Sequence, residues 1–383
     1  MTKTMRLSLA VVACLALGGV AAAQEVKLPP QLTVTAYDTG SSGFNITVAI
    51  GQQFKKYGTD MRVLPAGNDT SRLAPLRSGR AAVSGMGIGA YFAQEGMFEF
   101  GTKEWGPQQL RMLLTSSSCN GITVAVAKDT GVKEFKDLKD KRVGVVVGSP
   151  ALTQNILATL AFGNLTRSDV KLVEFSSYGA MWKGMLNNEV DAAVASTIAG
   201  QPKELETSPR GLVWPPMPKA DTAGWDRLHR IGPYFIPTVA TCGAAGISKS
   251  NPIEMTGYPY PIYVAYPNQN DELVYNVTKA FIEQYPNYKD AAPGADGMAL
   301  DKQTLTWVLP YHAGAVKALK EAKVWTDAAE KHNQGLIKRQ DVLAAAWKAH
   351  VDSKPADDKF ADAWMKARGD ALKKAGMDVV FDD

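Results

Sequence analysis

The chain has 383 residues, 42 of them basic and 38 acidic, for a formal net charge of +4. With 45% hydrophobic and 21% charged residues it has the balance of a globular protein, and neither a nucleic-acid footprint nor a polybasic membrane patch follows from so small a charge. The length exceeds one ordinary core of ~100–200 residues, so two lobes are expected.

Met1 to Arg6 carries Lys3 and Arg6 and no acid, and an apolar run follows from Leu7 to Ala23, closing on Ala21-Ala22-Ala23. This pattern reads as a secretory signal peptide over residues 1–23. The run falls short of the ~20 apolar residues of a spanning helix. A lipoprotein signal at Cys14 would leave Leu15 to Ala23 on the mature protein. Losing Lys3 and Arg6 lowers the charge from +4 to +2.

In the first lobe, Leu32, Val34 and Ala36 alternate as a half-buried strand. The turn Thr39-Gly40-Ser41-Ser42-Gly43 then leads into a helix marked by Ile46, Ile50 and Phe54, which Gly58 stops. Strands are expected at Met61–Leu64, Ala82–Ile88 and Leu110–Leu114, with a short helix around Arg72 and Leu73 that Pro75 limits. A second series begins near Cys119, with strands at Ile122–Ala127, Arg142–Val147, Val170–Phe175 and Val190–Ala195. Between them fall helices at Ala151–Phe162 and Gly179–Leu186, and such alternation predicts parallel sheets flanked by helices. Ser149 as cap and Pro150 as first residue mark one helix start. Pro215 to Pro267, rich in Pro, Gly and Tyr, reads as the return crossing and surface connections. Helices resume at Glu272–Gln284, and amphipathic segments at Leu336–Ala349 and Lys359–Lys374 close the chain. The organisation is therefore α/β, with lobe 1 over 24–118 and 243–326, an inserted lobe 2 over 119–242, and a helical extension over 327–383.

Two turns carry the functional signal: Thr39–Gly43 and Gly148-Ser149-Pro150, each between a strand's C-terminal end and a helix N-terminus. Free backbone N–H groups and the positive end of the helix dipole make such a spot an anion site. Each turn alone is also an ordinary capped helix start, but one in each lobe favours a ligand cleft. Cys119 and Cys242 are a candidate bridge in an oxidising compartment, with two separate thiols the open alternative.

Tyr37–Gly43 (YDTGSSG), the segment from Phe135 to Ala151, MWKGMLNNEVDAAVAS (Met181–Ser196), DELVYNVTKAFIEQ (Asp271–Gln284) and PYHAGAVKALKEAKVW (Pro310–Trp325) resemble the TAXI family of TRAP-transporter solute-binding proteins. The TGSSG and HAGA segments are the more specific matches. The resemblance implies a two-lobed periplasmic binding protein of type II-like fold, a monomer that closes on a small organic anion such as a carboxylate. It also implies delivery to the membrane subunit of a sodium-driven TRAP permease. On this reading the ligand contacts are Thr39, Ser41, Ser42, Asn45, Asn68 and Arg72 from the first lobe and Ser149, Tyr178 and Gly200 from the second. Two positions depart from the family. Arg72 stands at the place of an Asn, and Met86 in SGMGIGA replaces a polar residue, leaving a roomier, less polar wall.

Enzymatic readings are thin, and the chain is expected to be no enzyme and to use no cofactor. Gly85-Met-Gly-Ile-Gly lacks the last glycine of a dinucleotide fingerprint, and Ser168-Asp-Val-Lys171 lacks the companion motifs of a serine acylase. His229, His312, His332 and His350 have no metal-ligand spacing, and His312 is expected to hydrogen-bond within the fold. The binding component of an ABC importer shares the fold and several of the phrases, and a periplasmic hydrolase is the remaining alternative.

Overall fold

Leu32, Val34 and Ala36 are buried along β1 (Gln31–Ala36), the strand that opens the computed structural model. It describes residues 25–381, so the leader expected over 1–23 lies outside the described residues. Along the chain β1 is followed by α1 (Ser42–Phe54), β2 (Asp60–Pro65), α2 (Asp69–Arg77), β3 (Val83–Met86), α3 (Gly89–Glu95) and β4 (Arg111–Thr115). The second series is β5 (Ile122–Ala127), β6 (Arg142–Val146), α4 (Pro150–Phe162), β7 (Lys171–Phe175), α5 (Tyr178–Leu186), β8 (Ala192–Ser196), α6 (Gly200–Thr207) and β9 (Leu212–Val213). Then come α7 (Thr222–Ile231), β10 (Ile236–Ala240), β11 (Ile253–Gly257), β12 (Ile262–Ala265), α8 (Asp271–Tyr288), α9 (Ala313–Glu321), α10 (Asp327–Asp352) and α11 (Phe360–Lys374).

The strands form two five-stranded sheets, ordered β2-β1-β3-β12-β4 and β7-β6-β8-β5-β9, and a hairpin of β10 and β11. This is an α/β fold of two sheet-based lobes, with extra C-terminal helices. Both sheets are mixed, where the alternation of elements predicts all-parallel ones. Parallel pairing joins β1 to β2 and β3, and β6 to β7 and β8. β12 runs antiparallel between β3 and β4, and β5 antiparallel to β8. The stretch read as connections between Pro215 and Pro267 thus contains a helix, a hairpin and a fully buried core strand. Its prolines sit around these elements and, at Pro237, on a two-stranded ribbon where a lost ladder donor is tolerated. The β10–β11 hairpin carries the chain past residue 243, and Tyr258–Pro261 leads from it into β12 of the first sheet.

Cys119, just before β5, is joined by a disulfide to Cys242, just after β10, with their Cα atoms 5.5 Å apart. The HAGA segment is a packing device. His312 caps α9, its Nδ1 accepting the Gly314 N–H at 3.2 Å, and burial pushes its pKa down. A Cβ on Gly314 would lie 2.2 Å from the Asp271 carbonyl, so only glycine lets α9 approach α8 this closely. The extension packs on α3: fully buried Glu95 accepts from Arg339 of α10 at 2.7 Å and from Arg368 of α11 at 2.6 Å.

Candidate functional site

The C-terminal ends of β1, β6 and β8 point toward one crevice, the usual ligand position of open α/β sheets. On the first lobe, Ser41 caps α1 by accepting the Phe44 N–H at 3.2 Å. The Tyr260 hydroxyl covers the same helix start, so close that a Cβ on Gly43 would lie 2.6 Å from it. Asn68 caps α2, accepting the Ser71 N–H at 2.8 Å.

One turn along α2, Asp69 and Arg72 form an ion pair with both side chains fully buried. The guanidinium lies on the Tyr37 ring, 3.3 Å from its centroid, and its Nε donates to the Met86 sulfur at 3.0 Å. Asp69 also reaches into the second lobe, where its Oδ2 accepts the Ala151 N–H at 2.9 Å and the Ser149 hydroxyl at 3.2 Å. The protein's own carboxylate therefore occupies the N-terminus of α4.

The other second-lobe helices are met in the same way. At α5, Asp38 accepts the Gly179 N–H at 2.9 Å and the Gly67 carbonyl accepts that of Tyr178 at 3.0 Å. At α6, the Gly40 carbonyl accepts the Gly200 N–H at 3.0 Å. Thr70 N–H to the Gly148 carbonyl (3.2 Å), Asn68 to the Val147 carbonyl (3.1 Å) and Gln201 to the Thr39 carbonyl (3.0 Å) complete the seam. The lobes are shut on each other.

Between them remains a cavity of about 40 Å³, where one water needs ~10–15 Å³. Tyr37, Ser41, Ser42, Tyr258 and Tyr260 face Ile122, Leu152, Asn155, Tyr178, Val194 and Ser196 across it. Asn155 is fixed from both sides, donating to the Tyr258 hydroxyl at 3.1 Å and accepting from that of Tyr234 at 2.9 Å. Burial pushes the Tyr37, Tyr178 and Tyr258 phenols well up, and Tyr260 to about 12 against the pull of Arg72. All four are neutral phenols at physiological pH. A larger groove of about 290 Å³, bounded by Phe98, Trp364, Met365 and Arg230, lies away from these strand ends.

Of the expected contacts, Ser41, Ser42 and Tyr178 line the cavity. Thr39 and Gly200 spend backbone groups on the seam, Asn68 caps α2 and bridges to Val147, and Asn45 sits on α1 outside the wall. Ser149 does not cap α4 with its side chain, which goes to Asp69 instead. Arg72 is not a free cation facing a solute carboxylate, because Asp69 neutralises it and Tyr37 covers it. Tyr37, Asn155, Ser196, Tyr258 and Tyr260 are wall residues that the sequence reading misses. The Tyr258-Pro259-Tyr260-Pro261 run is the visible signal for two of them.

Several solved structures are similar to this chain in fold. The alkanesulfonate-binding protein SsuA from Xanthomonas axonopodis pv. citri, bound to MOPS, is 15% identical at a TM-score of 0.42, over 84% of this chain and 93% of that one. The aliphatic sulphonate-binding protein SsuA from Escherichia coli is 14% identical at 0.37, over 92% and 90%. An ancestral arginine-binding protein bound to arginine is 18% identical at 0.39, over 69% and 97%. No curated protein matches the sequence. The profile of the NMT1-like family matches residues 27–322, and the chain belongs to that family.

Proposed function

We propose that this protein is a periplasmic solute-binding protein, exported by the leader over residues 1–23, that closes its lobes on a small organic solute and hands it to a membrane permease. The observation that carries this reading is the cavity at the strand ends, walled by both lobes and sealed by hydrogen bonds that exist only when the lobes meet. Its wall offers hydroxyls, one amide and aromatic rings, which hold a solute. Burial keeps these phenols protonated at neutral pH, as hydrogen-bonding groups for a solute.

For the permease, the TGSSG and HAGA segments favour a sodium-driven TRAP partner. Mature protein stripped of bound solute is the material for the test. A solute should raise its melting temperature, by about 2.7 kcal/mol of added stability at a hundredfold excess over Kd, and shrink its radius in small-angle scattering. A radius unchanged by saturating solute rejects closure. Uptake by permease vesicles driven by a sodium gradient supports the TRAP partner, and uptake that needs ATP assigns an ABC importer.

A further inference from the structure

We infer that the solute is an uncharged molecule: a compact body with an apolar or aromatic face and hydroxyl, carbonyl or amide groups at its edge. This rests on the solute-binding reading above and sets the class of solute that the cleft selects.

Charge is the deciding property. Among the described residues, no Asp, Glu, Lys, Arg or His lines the cavity. The groups that could have received an anion are already used. Tyr260 covers the start of α1, Asp69 fills that of α4, Asp38 that of α5, and the Gly40 carbonyl that of α6. An anion here would surrender its hydration for phenols and aliphatic carbons, a transfer that costs several kcal/mol without a paired cation.

Arg72, stacked on the wall residue Tyr37, forms with Asp69 a pair of zero net charge. Its Nη1 is buried without a protein partner, which leaves both of its N–H groups for an acceptor. With Asp69 on the same guanidinium, that donor suits a neutral oxygen better than a carboxylate, which Asp69 would repel. A cationic solute fares no better, because the Tyr37 face that would take it already carries Arg72. The rest of the wall matches a neutral guest: hydroxyls of Ser41, Ser42 and Ser196 and the amide of Asn155, each donor and acceptor at once, among rings and aliphatic side chains.

The experiment uses unfolded and refolded mature protein, to remove any carried solute, and probes matched in shape but not in charge. These are benzamide with benzoate, isobutyramide with isobutyrate, and benzylamine as the cation. The expected result is that amides stabilise the protein and bind more tightly than their acids, with a Kd that stays flat up to about 0.5 M salt. In Asp69→Asn, Arg72 is left without its counter-charge, and the preference should swing roughly tenfold toward the acids. An acid or benzylamine that binds better than the amides overturns the neutral class and leaves the binding-protein reading standing. An unchanged preference in Asp69→Asn, with a native circular dichroism spectrum, also overturns it. If no probe binds and the radius never changes, the solute-binding reading fails and takes this inference with it.

Discussion

Asp69 on the first lobe accepts the backbone N–H of Ala151 on the second at 2.9 Å while its other oxygen holds Arg72 on its own helix. One carboxylate thus serves the core of one lobe and the closure of the pair. Removing Arg72 strands a fully buried carboxylate, and such losses cost about 3–5 kcal/mol. Arg72→Ala should therefore lower the urea midpoint sharply even without solute. Stability equal to wild type would mean that the Arg72–Asp69 pair does not hold the first lobe together.

Asp38 makes the complementary test, since it is half-buried and its bond to the Gly179 N–H spans the cleft. A bond present only when the lobes meet contributes to closure and little to either lobe alone. Asp38→Ala should weaken binding of a stabilising solute by about 1–2 kcal/mol with a nearly unchanged urea midpoint. The solute-free protein should show a larger radius in scattering. Equal affinity for variant and wild type would leave closure to the other seam contacts.

The strands and helices before residue 200 are largely legible in the sequence because hydrophobic period and capping residues are local signals. Ile46, Ile50 and Phe54 are all buried, as their spacing predicts. β12 is not legible, because Ile262–Ala265 is short and follows a Pro-Tyr run, and only pairing with β3 and β4 makes it a strand. At the site, the turn chemistry marks helix starts correctly but cannot say what fills them. That Asp69 reaches Ala151, 82 positions away, is a fact of tertiary placement. The same holds for the tyrosines, whose rings meet edge to face from the residue after β1 and from the 258–261 segment.

The disulfide closes a sequence separation of 123 residues, from the start of β5 to the end of β10. Tying so long a loop restricts the unfolded chain, by close to ~4.7 kcal/mol in the chain-entropy description. Its two ends lie beside each other off the cavity wall, where the Cys242 carbonyl accepts the Thr197 hydroxyl at 2.8 Å. Reduction, or replacement of both cysteines by alanine, should lower stability by several kcal/mol and leave solute affinity within about twofold. Calorimetry and urea unfolding on the same preparation decide it. A large loss of affinity with little loss of stability would place the bridge in the closing motion.

Glu95 offers a pH test of the helical extension. Burial alone would raise its pKa, but the Arg339 and Arg368 guanidiniums outweigh that and hold it below the ordinary 4.5. A carboxyl with a depressed folded-state pKa contributes stability that is present above the unfolded value and is lost as pH falls through the folded one. The window therefore lies below about pH 4.5, and the group lost there is the one that pins α10 and α11 to α3. Glu95→Gln keeps the shape and removes the charge, stranding two guanidiniums at neutral pH. It should be less stable than wild type by about 3–5 kcal/mol at pH 7, and the gap should narrow as the pH drops below the window and the wild-type carboxyl protonates. Urea unfolding of both proteins across that range measures the gap directly. A constant gap at every pH would mean that Glu95 acts through packing and not through its charge.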